Sequence, residues 1–353
     1  MKWLKKLNPI LNKMAKFTQK RLKQYKNAGY RVVGKNQHSG VEVCRWAKSV
    51  MRGGRNCYKS VYGVSSHRCL QMTPTLDFCT FSCKFCWRTF GKNRFKSHTI
   101  WDNPKEIIDE AIEAQRDLMS GWKGNSKTTL QSYKEALNPV HFAISLDGEP
   151  TLYPKLAELI TEVRKRGMTA FLVTNGTVPG RLQELLKKKA EPTNLYISVY
   201  ATNPKDYQKI TCAFIPDAWS KVLKSLKLMK KFKCRTIFRM TLVRGLNLKD
   251  AKGWAKLINM AQPKFVEFKG YTWLGESRKR LKAEDMPTMA ELEDFAKEIV
   301  KLTGYMIKHK DPISRVIVFA RDEKVWKDNF KEIEEQNYKI AKLDAKNKVR
   351  FVG

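Results

Sequence analysis

Apolar positions along this chain follow two rhythms. Short runs rich in β-branched and aromatic residues read as strands: QMTPTLDF (71–78), HFAISL (141–146), TAFLVT (169–174), LYISVY (195–200), TIFRMTLV (236–243) and FVEFKGY (265–271). Between them apolar residues recur every three or four positions, as in PKEIIDEAIEAQRDLM (104–119), YPKLAELITEVRKRG (153–167), GRLQELLKKKA (180–190), AWSKVLKSLKLMKKF (218–232) and LKDAKGWAKLIN (248–259), which predicts helices. Six such β–α units predict a parallel sheet with right-handed crossovers. The turn signals DGEPT, NGT, ATNP, RGLN and TWLGES fall just past the strands' C-terminal ends, the edge at which β/α barrels carry their chemistry. A closed barrel needs eight strands. Six predict an open, partial (β/α)6 TIM-like barrel with room for a large substrate at its mouth.

Extensions flank this unit. Residues 1–40 place Leu4, Leu7, Leu11, Met14 and Phe17 at helical spacing among lysines, which predicts a basic helical arm packing its stripe on the core. Residues 41–70 form a cysteine-bearing segment, 71–280 the barrel, and 281–353 a C-terminal extension with one helix (289–304), two short strands (YMIKHK and RVIVFA) and a charged helical stretch. A polar, basic insertion, SGWKGNSKTTLQSYKEALN, occupies 120–138. No apolar run reaches the length of a membrane span, and the N-terminus lacks the apolar segment and cleavage site of a secretory signal, so a cytoplasmic protein is expected.

Charge changes the picture. The chain carries 69 Lys and Arg against 34 Asp and Glu, a net +35 in 353 residues. Its first 100 residues hold two acids, Glu42 and Asp77. Self-repulsion on this scale calls for a polyanionic partner, and nucleic acid is the leading candidate; the bland alternative is a solvated basic surface.

Six of the eight cysteines, Cys44, Cys57, Cys69, Cys79, Cys83 and Cys86, lie in the first quarter of the chain, which in a cytosolic protein suggests metal. Cys212 and Cys234 stand alone in apolar surroundings and read as ordinary buried residues. CTFSCKFCWR places three thiols in one loop after the first strand. Three thiolates ligate three irons of a 4Fe–4S cube and leave the fourth open, as a catalytic site requires. Zinc is the alternative, with His98 or Cys69 as fourth ligand, but paired C-x-x-C spacing is missing. Cys44, Cys57 and Cys69 are either three buried thiols or the ligands of a second cluster.

The loop resembles the radical S-adenosylmethionine (SAM) superfamily, whose C-x-x-x-C-x-aromatic-C motif Cys79, Cys83, Phe85 and Cys86 match. That resemblance implies SAM chelated to the open iron and cleaved to a 5′-deoxyadenosyl radical. LDGEPT (146–151) resembles the superfamily's GGEP-like segment, whose backbone and carboxylate hold the methionine ammonium: Gly148 and Glu149 fit, and Asp147 replaces the first glycine. Asn175 and Ser198, at the next two strand ends, would meet the ribose or carboxylate.

CYKSVYG, SHRCLQM and the three-cysteine preamble narrow the resemblance to the archaeal-type tRNA 4-demethylwyosine synthase family, from about residue 40 to 320. It implies two 4Fe–4S clusters and a phenylalanine tRNA bearing 1-methylguanosine at position 37. Pyruvate is the implied cosubstrate, supplying two carbons of a third ring. By position Lys59 matches the family lysine that holds pyruvate as a Schiff base; an amine beside a cationic cluster is suited to attack a ketone. Eukaryotic relatives carry a flavodoxin-like domain absent here, so an external flavodoxin- or ferredoxin-type donor is expected, with a monomeric enzyme. The basic arm, the insertion with Trp122 and Lys123, KNRF (92–95), and Trp87 and Arg88 are the expected tRNA contacts. The alternatives are another radical SAM enzyme, peptide-modifying or a glycyl-radical activase, and a non-catalytic zinc RNA-binding protein.

Overall fold

The structure, a computed structural model, describes residues 17–89 and 100–346. Most of the arm's stripe, the KNRF loop and His98 lie outside them.

Six parallel strands form the centre, in sequence order: β3 (Cys69–Thr73), β4 (His141–Ile144), β5 (Thr169–Thr174), β6 (Asn194–Val199), β7 (Arg235–Leu242) and β8 (Phe265–Gly270). The crossovers are α3 (Pro104–Met119) with α4 (Leu130–Ala136), α5 (Leu156–Lys165), α6 (Pro179–Lys187), α7 (Pro204–Thr211) with α8 (Ala218–Met229), and α9 (Ala251–Ala261). The expected (β/α)6 partial barrel is therefore present. It lies within a ten-stranded sheet whose edges never meet. On one side stand β1 (Tyr30–Val33) and β2 (Ser39–Glu42), antiparallel to each other, with β2 antiparallel to β3. On the other, β10 (Val316–Ala320) runs antiparallel to β8 and carries β9 (Met306–Asp311), after α10 (Met289–Thr303).

The strands divide the apolar residues by parity. Leu195, Ile197 and Val199 of β6 and Phe238, Met240 and Leu242 of β7 face the helices in the main core. Tyr196, Ile237 and Phe265 face inward and pack on Tyr58 and Tyr62. The barrel interior is thus filled at one end by a short 3-10 segment, Tyr58–Tyr62. A 24-residue helix, α11 (Glu323–Lys346), lies beneath it. Asn329 and Gln336 donate to the carbonyls of Val61 and Gly63, both at 2.9 Å, and Asp344 pairs with buried Arg68 at 2.5 and 2.9 Å.

Several boundaries differ from expectation. The described part of the basic arm is one helix, α1 (Gln19–Asn27), followed by strands; YRVV is β-branched, Gly34 turns the chain at φ +86°, and the hairpin extends the sheet. The division at residue 40 therefore falls inside β2, and residues 69 and 70 of the cysteine segment belong to β3. The 120–138 insertion folds in part, Thr129 capping α4 through its hydroxyl. Cys212 is half-buried at the left-handed C-cap of α7 rather than buried. No helix of the described residues is long and apolar enough to cross a membrane.

Candidate active site

The loop after β3 is held from three sides. The amides of Ser82 and Lys84 donate to Thr211 and Ile210 at the end of α7, at 3.0 and 2.9 Å, and Phe214 donates back to Thr80 at 3.0 Å. Arg280 grips the carbonyls of Lys84, at 3.1 Å, and Cys86. From below, Glu149 N–H meets Phe78 O at 2.6 Å. Within this frame Cys79 and Cys83 are buried and Cys86 half-buried. Burial pushes the phenols of half-buried Tyr200 and buried Tyr207 well up, and the nearby Cys83 and Cys79 add to the rise. Among the described residues no three Cys, His, Asp or Glu side chains converge on a point that would hold one metal ion. A cubane spreads its thiolates over three irons, and three thiols on one pinned loop suit that demand.

The expected SAM-binding residues surround the loop, though not all present free groups to it. Gly148 stands at φ +70°, and a Cβ there would lie 2.0 Å from Thr75 O and 2.5 Å from Phe78 O, so no other residue fits. Glu149 is buried, and protein donors occupy its carboxylate. Oε1 accepts from Thr151 N (3.0 Å), Thr151 Oγ1 (2.6 Å) and Thr174 Oγ1 (2.6 Å), and Oε2 from Asn175 N (2.7 Å). Burial raises its pKa and these bonds oppose the rise. Glu149 thus ties the ends of β4 and β5 together. Asn175 braces the cysteine loop through Nδ2, 2.8 Å from Thr80 Oγ1 and 3.9 Å from Cys79 Sγ. Phe85 packs against Tyr200 with centroids 4.9 Å apart, and Ser198 is buried on the inner face of β6. Thr174, Thr151, Tyr200 and Arg280 were not predicted; only the folded loop reveals them.

A second constellation lies deeper. Cys44 caps α2 (Arg45–Met51), its sulfur accepting from Ala47 N at 3.3 Å. Cys57 precedes the 3-10 segment, Cys69 opens β3, and Lys59 lies between them. The wide sequence spacing closes in space. Burial pushes the Cys69 thiol well up; the charges of Cys44 and Cys57 push it further, and Lys59 opposes. Cys44 feels burial first, then Cys57 and Lys59 among its neighbours. Lys59 Nζ sits 4.7 Å from the centre of the Tyr196 ring, inside the barrel. Its neighbour Tyr58 donates from its hydroxyl to Glu267 Oε1 at 2.8 Å, and Arg239 approaches the same oxygen at 3.3 Å. Arg239 and Glu267 were missed. Their signal is an inward-parity charge on each of two central strands, which the alternation in TIFRMTLV and FVEFKGY displays.

The proposed RNA contacts divide. Trp87 is exposed, whereas Arg88 is buried, paired with Glu42 at 2.6 Å and stacked on Trp87 at 3.4 Å. Trp122 is half-buried with Arg52 over its ring, and Lys123 is exposed.

Residues 73–258 match the family model described as Radical SAM superfamily, and residues 260–321 the model described as Wyosine base formation. The S-adenosyl-L-methionine-dependent tRNA 4-demethylwyosine synthase of Pyrococcus horikoshii is 45% identical over 304 residues, covering 85% of this chain and 88% of that one. The enzyme of the same name from Methanocaldococcus jannaschii is 36% identical over 295 residues, covering 81% and 92%. A solved structure, TYW1 with a lysine-pyruvate adduct bound, superposes with a TM-score of 0.78 at 33% identity, covering 86% of this chain and 96% of that one. With its signature loop at the mouth of a partial barrel and likeness running through nearly all of each relative, this chain belongs to the tRNA 4-demethylwyosine synthase family of radical SAM enzymes.

Proposed function

We propose that the chain joins 1-methylguanosine at position 37 of a phenylalanine tRNA to two carbons of pyruvate, whose carboxyl carbon is lost, forming 4-demethylwyosine. The observation that carries this reading is that Lys59, Cys44, Cys57 and Cys69, far apart in sequence, lie within electrostatic range of one another in the fold. In a related structure a lysine carries pyruvate, and the position of Lys59 inside the barrel, 4.7 Å from the centre of the Tyr196 ring, supports giving it that role here.

Cys79, Cys83 and Cys86 would hold one 4Fe–4S cluster and the three upstream cysteines a second. When bound, the first cluster and SAM would supply the radical chemistry for removing hydrogen from the substrate N-methyl group. The chain's own residues perform the rest. The backbone of 146–149, fixed by Glu149, receives the methionine ammonium, with Phe85, Asn175 and Ser198 lining the same wall. The Lys59 amine adds to the ketone carbon of pyruvate; a C=N bond forms, and the ketone oxygen leaves as water. Residues 41–70 thus serve pyruvate, 71–280 serve SAM, and the extensions serve the fold and tRNA. The enzyme works as a cytoplasmic monomer reduced by an external flavodoxin- or ferredoxin-type protein.

Anaerobic reconstitution followed by assay with methylated tRNA and labelled pyruvate tests this. Roughly eight irons per chain, deoxyadenosine release and label in tRNA are expected. Lys59→Ala should keep the iron while losing both the borohydride-trapped pyruvate adduct and the product. Wild-type turnover by that variant would remove Lys59 from the reaction. Deoxyadenosine formed without dependence on tRNA and pyruvate would favour another radical SAM reaction. A colourless zinc protein would leave RNA binding alone.

A further inference from the structure

The middle of the barrel carries more positive than negative charge. On the inner face, Arg239 of β7 stands in register between Ser198 of β6 and Glu267 of β8. Lys269, two residues along β8, faces the same way, and Lys59 enters from the 3-10 segment. Arg239 and Lys269 therefore both act on Glu267, and Lys59, over the Tyr196 ring, adds a third cation to the same interior. Asp311, the next carboxylate, is engaged by Arg55 at 2.8 Å. The imbalance is felt at Lys269, whose pKa is pushed down to about 8, by burial first and then by the charges of Arg239 and Arg315. Buried cations in such excess are stabilised by an anionic ligand.

Arg239 is the cation placed to take it. Glu267 is fully buried, while the Arg239 side chain keeps 19% of its surface open. The guanidinium has five donors, and its ion pair with Glu267 Oε1, shared with Tyr58, engages one edge. It lies within electrostatic range of Tyr58 and Tyr196 on the Lys59 side and of Tyr200 on the cysteine-loop side. It thus stands between the two cysteine constellations. Lys269, by contrast, gives its ammonium to the carbonyls of Ser314 and Gly270.

We propose that Arg239 anchors the carboxylate of the 2-oxo acid bound at Lys59, so that the amine and the guanidinium grip the ketone carbon and the carboxylate of one ligand. A planar fork matches a carboxylate in two parallel hydrogen bonds, which a lysine does not. The assignment rests on Lys59 being the imine-forming amine. The other carboxylate that reaches this wall belongs to the methionine end of SAM, and the test separates the two.

The test titrates pyruvate into the reconstituted holoenzyme without SAM, quenches with borohydride and reads the adduct by intact mass. Arg239→Gln should raise the pyruvate concentration for half-maximal trapping roughly 10- to 100-fold, the loss expected for a charge-assisted bond, and Arg239→Lys should recover part of it. SAM affinity, read by equilibrium dialysis, should stay within about twofold. Wild-type protein should need much more methyl pyruvate than pyruvate, and Arg239→Gln should treat them alike. Trapping by Arg239→Gln at wild-type pyruvate concentrations would overturn the assignment. So would weakened SAM binding with unchanged trapping, which would give Arg239 to SAM. Should Arg239→Gln fail to fold, the ester comparison on wild-type protein decides, and equal trapping of acid and ester there refutes the anchor. An adduct that persists in Lys59→Ala would instead sink the reading of Lys59 and leave the anion site standing.

Discussion

At the scale of single residues, the site depends on groups that no other side chain replaces. Gly148 is held in the left-handed region with two carbonyls where a Cβ would stand. Gly148→Ala should cost about 3 kcal/mol or more, because left-handed strain adds to a backbone clash. Denaturant unfolding and SAM binding should both register it, and a variant of wild-type stability would mean the loop yields without strain. His38 makes a pH-dependent contribution. Its Nδ1–H donates to Pro74 O at 2.8 Å, and Nε2 accepts from Asp102 N–H at 2.9 Å, so the folded protein holds it neutral. Burial pushes its pKa below the ordinary value, with the Pro74 carbonyl and the Asp102 carboxylate opposing. The unfolded chain therefore takes up the proton first. The contribution is full above about pH 6.5 and is lost as pH falls, by up to about 1.4 kcal/mol per unit. Chemical unfolding of the apoprotein between pH 7 and 5 should show it, and His38→Gln should flatten the slope; equal slopes would place the titration elsewhere.

At the scale of elements, the sequence was most legible where periodicity ran long. The six central strands and α3, α5, α6, α8, α9 and α10 lie where apolar spacing puts them, within a few residues. The misses are short: α2 and α4 have seven residues each and α7 eight, too few for a helical period to stand out. The β1–β2 hairpin was hidden because a stripe continuing to Phe17 suggested more helix. The signature cysteines were legible because one loop holds them. Arg239 and Glu267 show in the sequence as charges on apolar strands, but only the fold brings them, with Tyr196, to one inner face beside Tyr58. Glu149 was found by its motif, yet its bonds to Thr151 and Thr174 arise from the meeting of two strands. The floor of the barrel is likewise tertiary. Arg68→Met would leave Asp344 of α11 buried and unpaired, and the expected loss is about 3–5 kcal/mol. Trapping of pyruvate at Lys59 should weaken with it, since α11 also holds the carbonyls of Val61 and Gly63. Undiminished trapping in a destabilised variant would show that the segment is set without that helix.

At the scale of the whole molecule, the basic excess survives folding. The two acids of the first hundred residues are both taken by arginines: Asp77 by Arg21 at 2.7 Å and Glu42 by Arg88. Arg31, Arg55 and Arg68 of the same region pair with Asp117, Asp311 and Asp344, while Lys20, Lys23 and Lys26 on α1 are exposed. If six or more phosphates are engaged, affinity for the substrate tRNA should fall about a thousandfold or more between 50 and 200 mM salt. Filter binding across that range measures it, and a flat response would assign the charge another purpose. Arg21 also donates to Thr89 O at 2.9 Å, so α1 clasps the stretch that follows the cysteine loop.

The bond between Arg68 and Asp344 spans 276 positions. During synthesis the upper loop has all its braces once Arg280 has left the ribosome, whereas the underside of the barrel stays open until α11 has been made. A nascent chain thus leaves the face beneath Tyr58–Tyr62 uncovered for the last stage of translation, and closure by that helix comes afterwards. A ribosome stalled before Glu323 would hold the barrel without its floor.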